Sequence, residues 1–234
     1  MTSTIKRKSM ALVMALLMCF SMFVSFGTTA LAAGERSEIY MVSFPRGTDA
    51  NLSHWEHDSL NFMNGWHMDA YDMFAAFCVG SYEGKIAYCI EPGIPLDNGE
   101  SFTSKDETFW DNYPSAYNKT IDGDTIKSLI GRIIQYGYTG NIDPDWVSQN
   151  STGADKLAHV FATQLLIWET IVGERDENFA HVSTGGKNAI LEIIKSGNPL
   201  RSRILDHYNS MVTSVQNHSK VPSFMEKQRQ GSHD

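Results

Sequence analysis

Between Lys156 and Val172 the sequence sets Leu157, Phe161, Leu165, Trp168 and Val172 at successive helical turns, the spacing of a helix that buries one face. A chain with such a stripe must pack something against it. Gln164 lies three residues after Phe161 and four before Trp168, so it shares the apolar face. A carboxamide carries two N–H donors and an acceptor oxygen, and burying it without partners costs about 1–3 kcal/mol. Either the backbone of a neighbouring strand satisfies Gln164, or its amide takes part in chemistry that removes the problem.

The first 32 residues predict a processing segment. Lys6, Arg7 and Lys8 precede an apolar run from Met10 to Val24, and Ala30-Leu31-Ala32 is a small-x-small cleavage signal. The run has 15 residues, short of the roughly 20 that a membrane span needs, and its flanks are those of a secretory signal peptide. Cleavage after Ala32 is expected, giving an exported, soluble domain over residues 33–225 with no membrane insertion, and a polar tail or linker over 226–234. Losing Lys6, Arg7 and Lys8, and no acidic residue, takes the net charge from −8 to −11. Such a balance argues against nucleic acid, whose phosphates require clustered Lys and Arg. Hydrophobic residues make up 42%, enough for a sizeable core. We expect a monomer.

The first half reads as strands and the second as helices. Glu38–Phe44 is β-prone, and Met73–Val79 with Lys85–Ile90 predicts a hairpin around Ser81-Tyr82-Glu83-Gly84. Helices are predicted from a cap at Asp124 to Tyr136, from Asp155 to Val172, over Lys187–Ser196, and after Asn198-Pro199 with Leu200, Ile204, Tyr208, Met211 and Val215 inward. His218–Phe224 predicts a closing strand. The fold class expected is α+β: an antiparallel β-sandwich or barrel-like part with a helical subdomain packed beside it.

With Cys19 leaving in the signal segment, Cys78 and Cys89 are the cysteines of the mature chain. A cysteine thiol held against a glutamine side chain can attack the amide carbon, release ammonia and leave a thioester. Proximity can supply about 7–11 kcal/mol of such a barrier, with hydrogen-bond donors still needed for the oxyanion of the tetrahedral intermediate.

Tyr88-Cys89-Ile90 resembles the aromatic-Cys-apolar motif of the thioester domains of Gram-positive bacterial surface adhesins. Thr163-Gln164-Leu165-Leu166-Ile167-Trp168 is similar to their paired motif, Gln-x-x-apolar-Trp, and the 75 residues between Cys89 and Gln164 fit in order and separation. Val221-Pro222-Ser223-Phe224 is similar to the stretch that closes these domains. The resemblance implies a thioester from Cys89 to Gln164 linking a strand to a helix, with Tyr88, Ile90, Thr163, Ile167 and Trp168 supporting or lining it. It further implies single-use capture of a lysine amine on a host surface or matrix protein, without turnover, cofactor or metal. By analogy with a disulfide, closing a loop of this length would contribute about 4.5 kcal/mol as an upper value.

Other readings compete. A Glu83-Gly84 turn would set Cys78 opposite Cys89, allowing a disulfide in a non-covalent binding domain. Cys89 could serve a secreted hydrolase with His159 or His181 as base. His54, His57 and Asp58, with His67, have a zinc-like spacing, though a polar, solvent-facing segment explains them as well.

Overall fold

Why the chain divides into a sheet and a helical cluster is visible in where its apolar residues fall. The computed structural model describes residues 36–42, 60–68, 79–82, 85–92, 100–103, 105, 107–111, 113, 117–141 and 152–218. The signal segment, Cys78, the Glu83-Gly84 turn, His54, His57, Asp58 and everything after His218 lie outside the described residues.

Six strands are described: β1 (Arg36–Val42), β2 (Leu60–Asn61), β3 (His67–Met68), β4 (Val79–Tyr82), β5 (Lys85–Ala87) and β6 (Glu100–Thr103). Four of them form an antiparallel sheet in the order β5-β4-β1-β6, and β2 pairs with β3. Tyr40 sits opposite Ser81 and Ile39 opposite Glu100, so β1 is shared between its two neighbours. In the expected hairpin β4 and β5 pair Tyr82 with Lys85, Ser81 with Ile86 and Gly80 with Ala87, and β5 ends at Ala87, before the expected Ile90, while residues 73–78 lie outside the described residues. Lys85 also bridges to Asn141, beyond the next helix.

Three helices pack against one another: α1 (Gly123–Tyr136), α2 (Thr152–Val172) and α3 (Arg201–Asn217). The helix α1 is amphipathic, burying Ile126, Leu129 and Ile133. Its cap is Asp122, two residues before the expected Asp124, and the Asp122 carboxylate accepts from the Thr125 N–H at 2.7 Å. The shift follows from Gly123, where a Cβ would sit 1.8 Å from the Trp110 carbonyl oxygen and 2.3 Å from that of Tyr113. Only glycine lets the helix begin this close to the 110–113 segment.

Every residue from Val160 to Arg175 is buried, so α2 is the central helix, surrounded rather than one-sided. It begins at Thr152, before the expected Asp155. It stops at Gly173, in the left-handed region at φ 89°, where the Glu174 N–H reaches back to the Glu169 carbonyl at 2.8 Å. Asn118 and Asn64 donate side-chain N–H groups to the Thr170 and Val172 carbonyls at 2.9 and 3.0 Å. The last turn is thereby satisfied although it is buried.

The helix expected over Lys187–Ser196 is instead a single 3-10 turn, Ile190–Ile193. Its Ala189 cap makes no side-chain bond, and Asn188 turns away to exchange backbone and side-chain bonds with Asn61 of β2. The Ile190 N–H is taken by the Glu174 carboxylate at 3.1 Å. These outside partners hold the segment out of an α-helix. In α3 the expected inward residues Ile204, Tyr208, Met211 and Val215 are buried. Behind α2, Tyr208 and Arg175 both bond the buried Glu169 carboxylate.

Candidate functional site

Past the end of β5 the chain turns inward at Tyr88 and runs against the middle of α2. There the Cys89 N–H donates to Gln164 Oε1 at 2.9 Å, and Gln164 Nε2 donates back to the Cys89 carbonyl at 2.8 Å. Gln164 is 4% exposed, and Cys89 is half-buried with a free thiol. The misplaced glutamine is therefore satisfied, and its partner is the backbone of the very cysteine singled out by sequence. A plain structural glutamine would use the same two bonds; what distinguishes the pair is that the acceptor backbone carries a thiol.

A second link runs beside the first. Tyr88 donates its hydroxyl to the Tyr138 carbonyl at 2.6 Å, and the Tyr138 N–H donates to Thr163 Oγ1 at 3.1 Å. Thr163 Oγ1 in turn donates to the His159 carbonyl one turn back, at 2.8 Å. The single residue Tyr138 thus ties position 88 to position 163, one residue from each member of the Cys89–Gln164 pair. The approach depends on Gly137, where a Cβ would lie 2.6 Å from the Thr163 methyl and 2.8 Å from its hydroxyl. Burial pushes the Tyr88 hydroxyl pKa well up, so it stays a donor.

The environment of the sulfur has opposing parts. Burial raises the Cys89 pKa, the neighbouring Glu91 backbone N–H and Trp168 side chain work to lower it, and the Glu91 carboxylate adds to the rise. Trp168 is one turn beyond Gln164, which sets its indole on the same face. Ile167 is fully buried in the core, and Ile90 is half-buried against it.

Three residues here were not singled out by sequence. Tyr113 and Tyr117 lie within electrostatic reach of both Cys89 and Glu91. Tyr113 belongs to an aromatic group with Phe109, Trp110 and Tyr117, which four aromatics in nine residues could have signalled. Glu91 is exposed, two residues after the cysteine.

The proposed histidine partners lie elsewhere. His159 stacks on His207, with centroids 4.4 Å apart, and its Nε2 meets the Tyr136 carbonyl at 3.1 Å. Burial and then the neighbouring His207 lower its pKa. His181 is exposed and bridges to Arg175. Neither contributes to the shift of the Cys89 thiol. His67 is exposed on β3, and among the described residues no group of three or more His, Cys, Asp or Glu could hold a metal. Cys78, the other member of the disulfide reading, lies outside the described residues. No described helix is long and apolar enough to cross a membrane.

The family model of the thioester domain matches residues 86–217, more than half of the chain. The chain belongs to the thioester domain family. The match runs from β5 to the end of α3 and takes in both Cys89 and Gln164. The protein is thus a thioester-bearing module, as the two motifs implied. No curated protein and no solved structure gives a match to this thioester domain.

Proposed function

We propose that Cys89 and Gln164 form the thioester of this domain and that the bond captures a lysine amine on a host extracellular protein. The carrying observation is the reciprocal pairing of the Gln164 carboxamide with the Cys89 backbone. It holds the electrophilic carbon beside the residue that supplies the sulfur, the arrangement in which proximity counts most. The Cys89 N–H already bonds the oxygen that becomes the oxyanion when sulfur attacks. Attack forms the C–S bond, the C–N bond breaks, and the amide nitrogen leaves as ammonia with the thiol proton.

An incoming amine runs that step in the opposite direction. It bonds to the Gln164 carbon and expels the Cys89 sulfur as a thiol. The product is an isopeptide to the ligand, and the site is spent, so this is an adhesion reagent and not an enzyme. Residues 33–225 would be the exported domain, shown on a cell surface after cleavage at Ala32.

Intact-mass measurement of the purified domain tests the reading. A mass one ammonia below that of the sequence, rising by one methylamine on treatment at mildly alkaline pH, is the expected result. The full sequence mass without an adduct would overturn it. A deficit of two hydrogens restored by reduction would instead establish the Cys78–Cys89 disulfide.

A further inference from the structure

His159 of α2 and His207 of α3 lie face to face, with ring centroids 4.4 Å apart and planes within 6° of parallel. His159 Nε2 is 3.1 Å from the Tyr136 carbonyl, and His207 Nε2 is 3.0 Å from the Asp155 carboxylate. Carbonyls and carboxylates only accept, so each ring carries its proton on Nε2 and takes a second one on Nδ1. The two rings are not equally provided for that second proton. Asp155, one turn before His159 on α2, offsets a charge on His207. His159 faces a peptide carbonyl on one side and the uncharged Tyr138 ring edge-on at 6.1 Å. Among the described residues no charged group other than Asp155 bonds either ring.

The same histidine is bonded into the second link at the site. Its carbonyl accepts from Thr163 Oγ1 at 2.8 Å, and that oxygen accepts from the Tyr138 N–H at 3.1 Å. The Tyr138 carbonyl in turn accepts the Tyr88 hydroxyl at 2.6 Å. His159 therefore holds the Tyr136 end of a three-residue segment whose Tyr138 end holds the neighbours of Gln164 and Cys89. We propose that the stacked His159–His207 pair positions this segment at the thioester and releases it when both rings are charged, so that the bond is kept near neutral pH and lost in mild acid.

Two cations stacked face to face repel, and a half-buried seam screens them less than water does. Their repulsion parts α2 from α3 at His159 and frees the Tyr136–Tyr138 segment, and water gains the Gln164 carbon. Water adds there, the C–S bond breaks and sulfur leaves as a thiol with one of the water protons, leaving a carboxylic acid at position 164. Burial, then the neighbouring His207, lowers the His159 pKa from its ordinary 6.5. The folded protein thus refuses a proton that the unfolded chain accepts. The stability this gives is present above pH 6.5 and is lost as pH falls through the lowered folded value.

The inference rests on the Cys89–Gln164 reading, and two readouts separate them. His207→Phe keeps a ring to stack on His159 but cannot be charged. It gives up a pairing with an Asp155 side chain that is 57% exposed, a contact worth little. Loss of the formed thioester is followed by intact mass, as the gain of one water, between about pH 5 and about pH 7.5, across the histidine range. Hydrolysis of a free thioester slows as hydroxide falls, so acceleration in acid is a signature that the bond alone does not give. The expected result is loss about tenfold faster at the acid end in wild type, and no acceleration in H207F. Glu174 is the same in both proteins, so its titration cancels in the comparison. The second readout needs no thioester. In Cys89→Ala, the protection of the Tyr138 N–H against hydrogen exchange should fall in acid, and adding H207F should restore it. Wild-type loss that slows in acid, or acceleration that survives in H207F, overturns the proposal. So does Tyr138 protection that ignores pH in Cys89→Ala. A wild type with no ammonia deficit sinks the thioester assignment instead, and amide exchange alone then decides whether the histidine pair releases the segment.

Discussion

The Gln164 carboxamide and the Cys89 peptide bond each other twice, at 2.9 and 2.8 Å, across 75 residues of chain. That pairing separates the contributions of the two residues. Cys89→Ala removes the sulfur and keeps the backbone that satisfies Gln164. Gln164→Ala removes the side chain and strands a Cys89 N–H and carbonyl. Both variants should lose the ammonia deficit and the methylamine adduct in intact mass. Compared with the unreacted protein, Gln164→Ala should cost about 1–3 kcal/mol in urea unfolding and Cys89→Ala less. Retained covalent capture by either variant would rule out the mechanism.

Gly137→Ala should disturb the site from the far side. Its φ of −82° suits any residue, so the cost is one of space: the new methyl would meet Thr163 at 2.6 Å and the Ile133 carbonyl at 2.9 Å. We predict destabilisation of about 1–3 kcal/mol and a smaller fraction of thioester at equal expression. Wild-type stability in denaturant would show that α1 and α2 can separate there freely.

Tyr88→Phe and Thr163→Val each cut the second link at one end. Because both bonds run to Tyr138, the variants should be non-additive. Each alone should cost about 1–3 kcal/mol for a buried group left unpaired, and the double variant clearly less than the total. A double-mutant cycle by chemical unfolding measures this, and full additivity would mean that Tyr138 does not couple the two segments.

The stability of the domain should fall as pH rises from about 5 to 8. Burial, reinforced by the Glu169 charge, raises the Glu174 pKa from 4.5 to about 8. Over that window the folded protein holds a proton that the unfolded chain has released, so rising pH favours unfolding. The loss begins above the unfolded value and is complete once pH passes the folded one. Glu174→Gln should flatten the melting temperature across this range. An equally steep decline in the variant would place its origin in other groups.

Arg175→Met should be among the most damaging single changes outside the site. It would leave the buried Glu169 carboxylate with Tyr208 alone, and breaking a buried pair in this way costs about 3–5 kcal/mol. Thermal unfolding gives the test, with Glu169→Gln/Arg175→Met expected to recover part of the loss.

The parts legible in sequence were those whose signal is local. The apolar period marks α2 and the inward face of α3, and Gln164 among apolar neighbours marks the pair. What escaped depends on chain brought from afar. The Asp122 cap is decided by Gly123 meeting Trp110 and Tyr113, and the 187–196 segment by the bonds of Asn188 to Asn61 and of Ile190 to Glu174. Tyr138 acts through its peptide group and Gly137 through the atoms it lacks. Neither leaves a side-chain pattern to read, whereas the aromatics Phe109, Trp110, Tyr113 and Tyr117 do.

The burial of α2 on every side bears on how the domain would carry load. Under the proposed capture, a ligand tethered at Gln164 would pull on the midpoint of this helix, not on an end. Tension applied at a terminus can unzip a helix turn by turn, but at the midpoint it must shear the packing toward α1 and α3 together. A tether at this position is therefore seated where the module is mechanically hardest to draw apart.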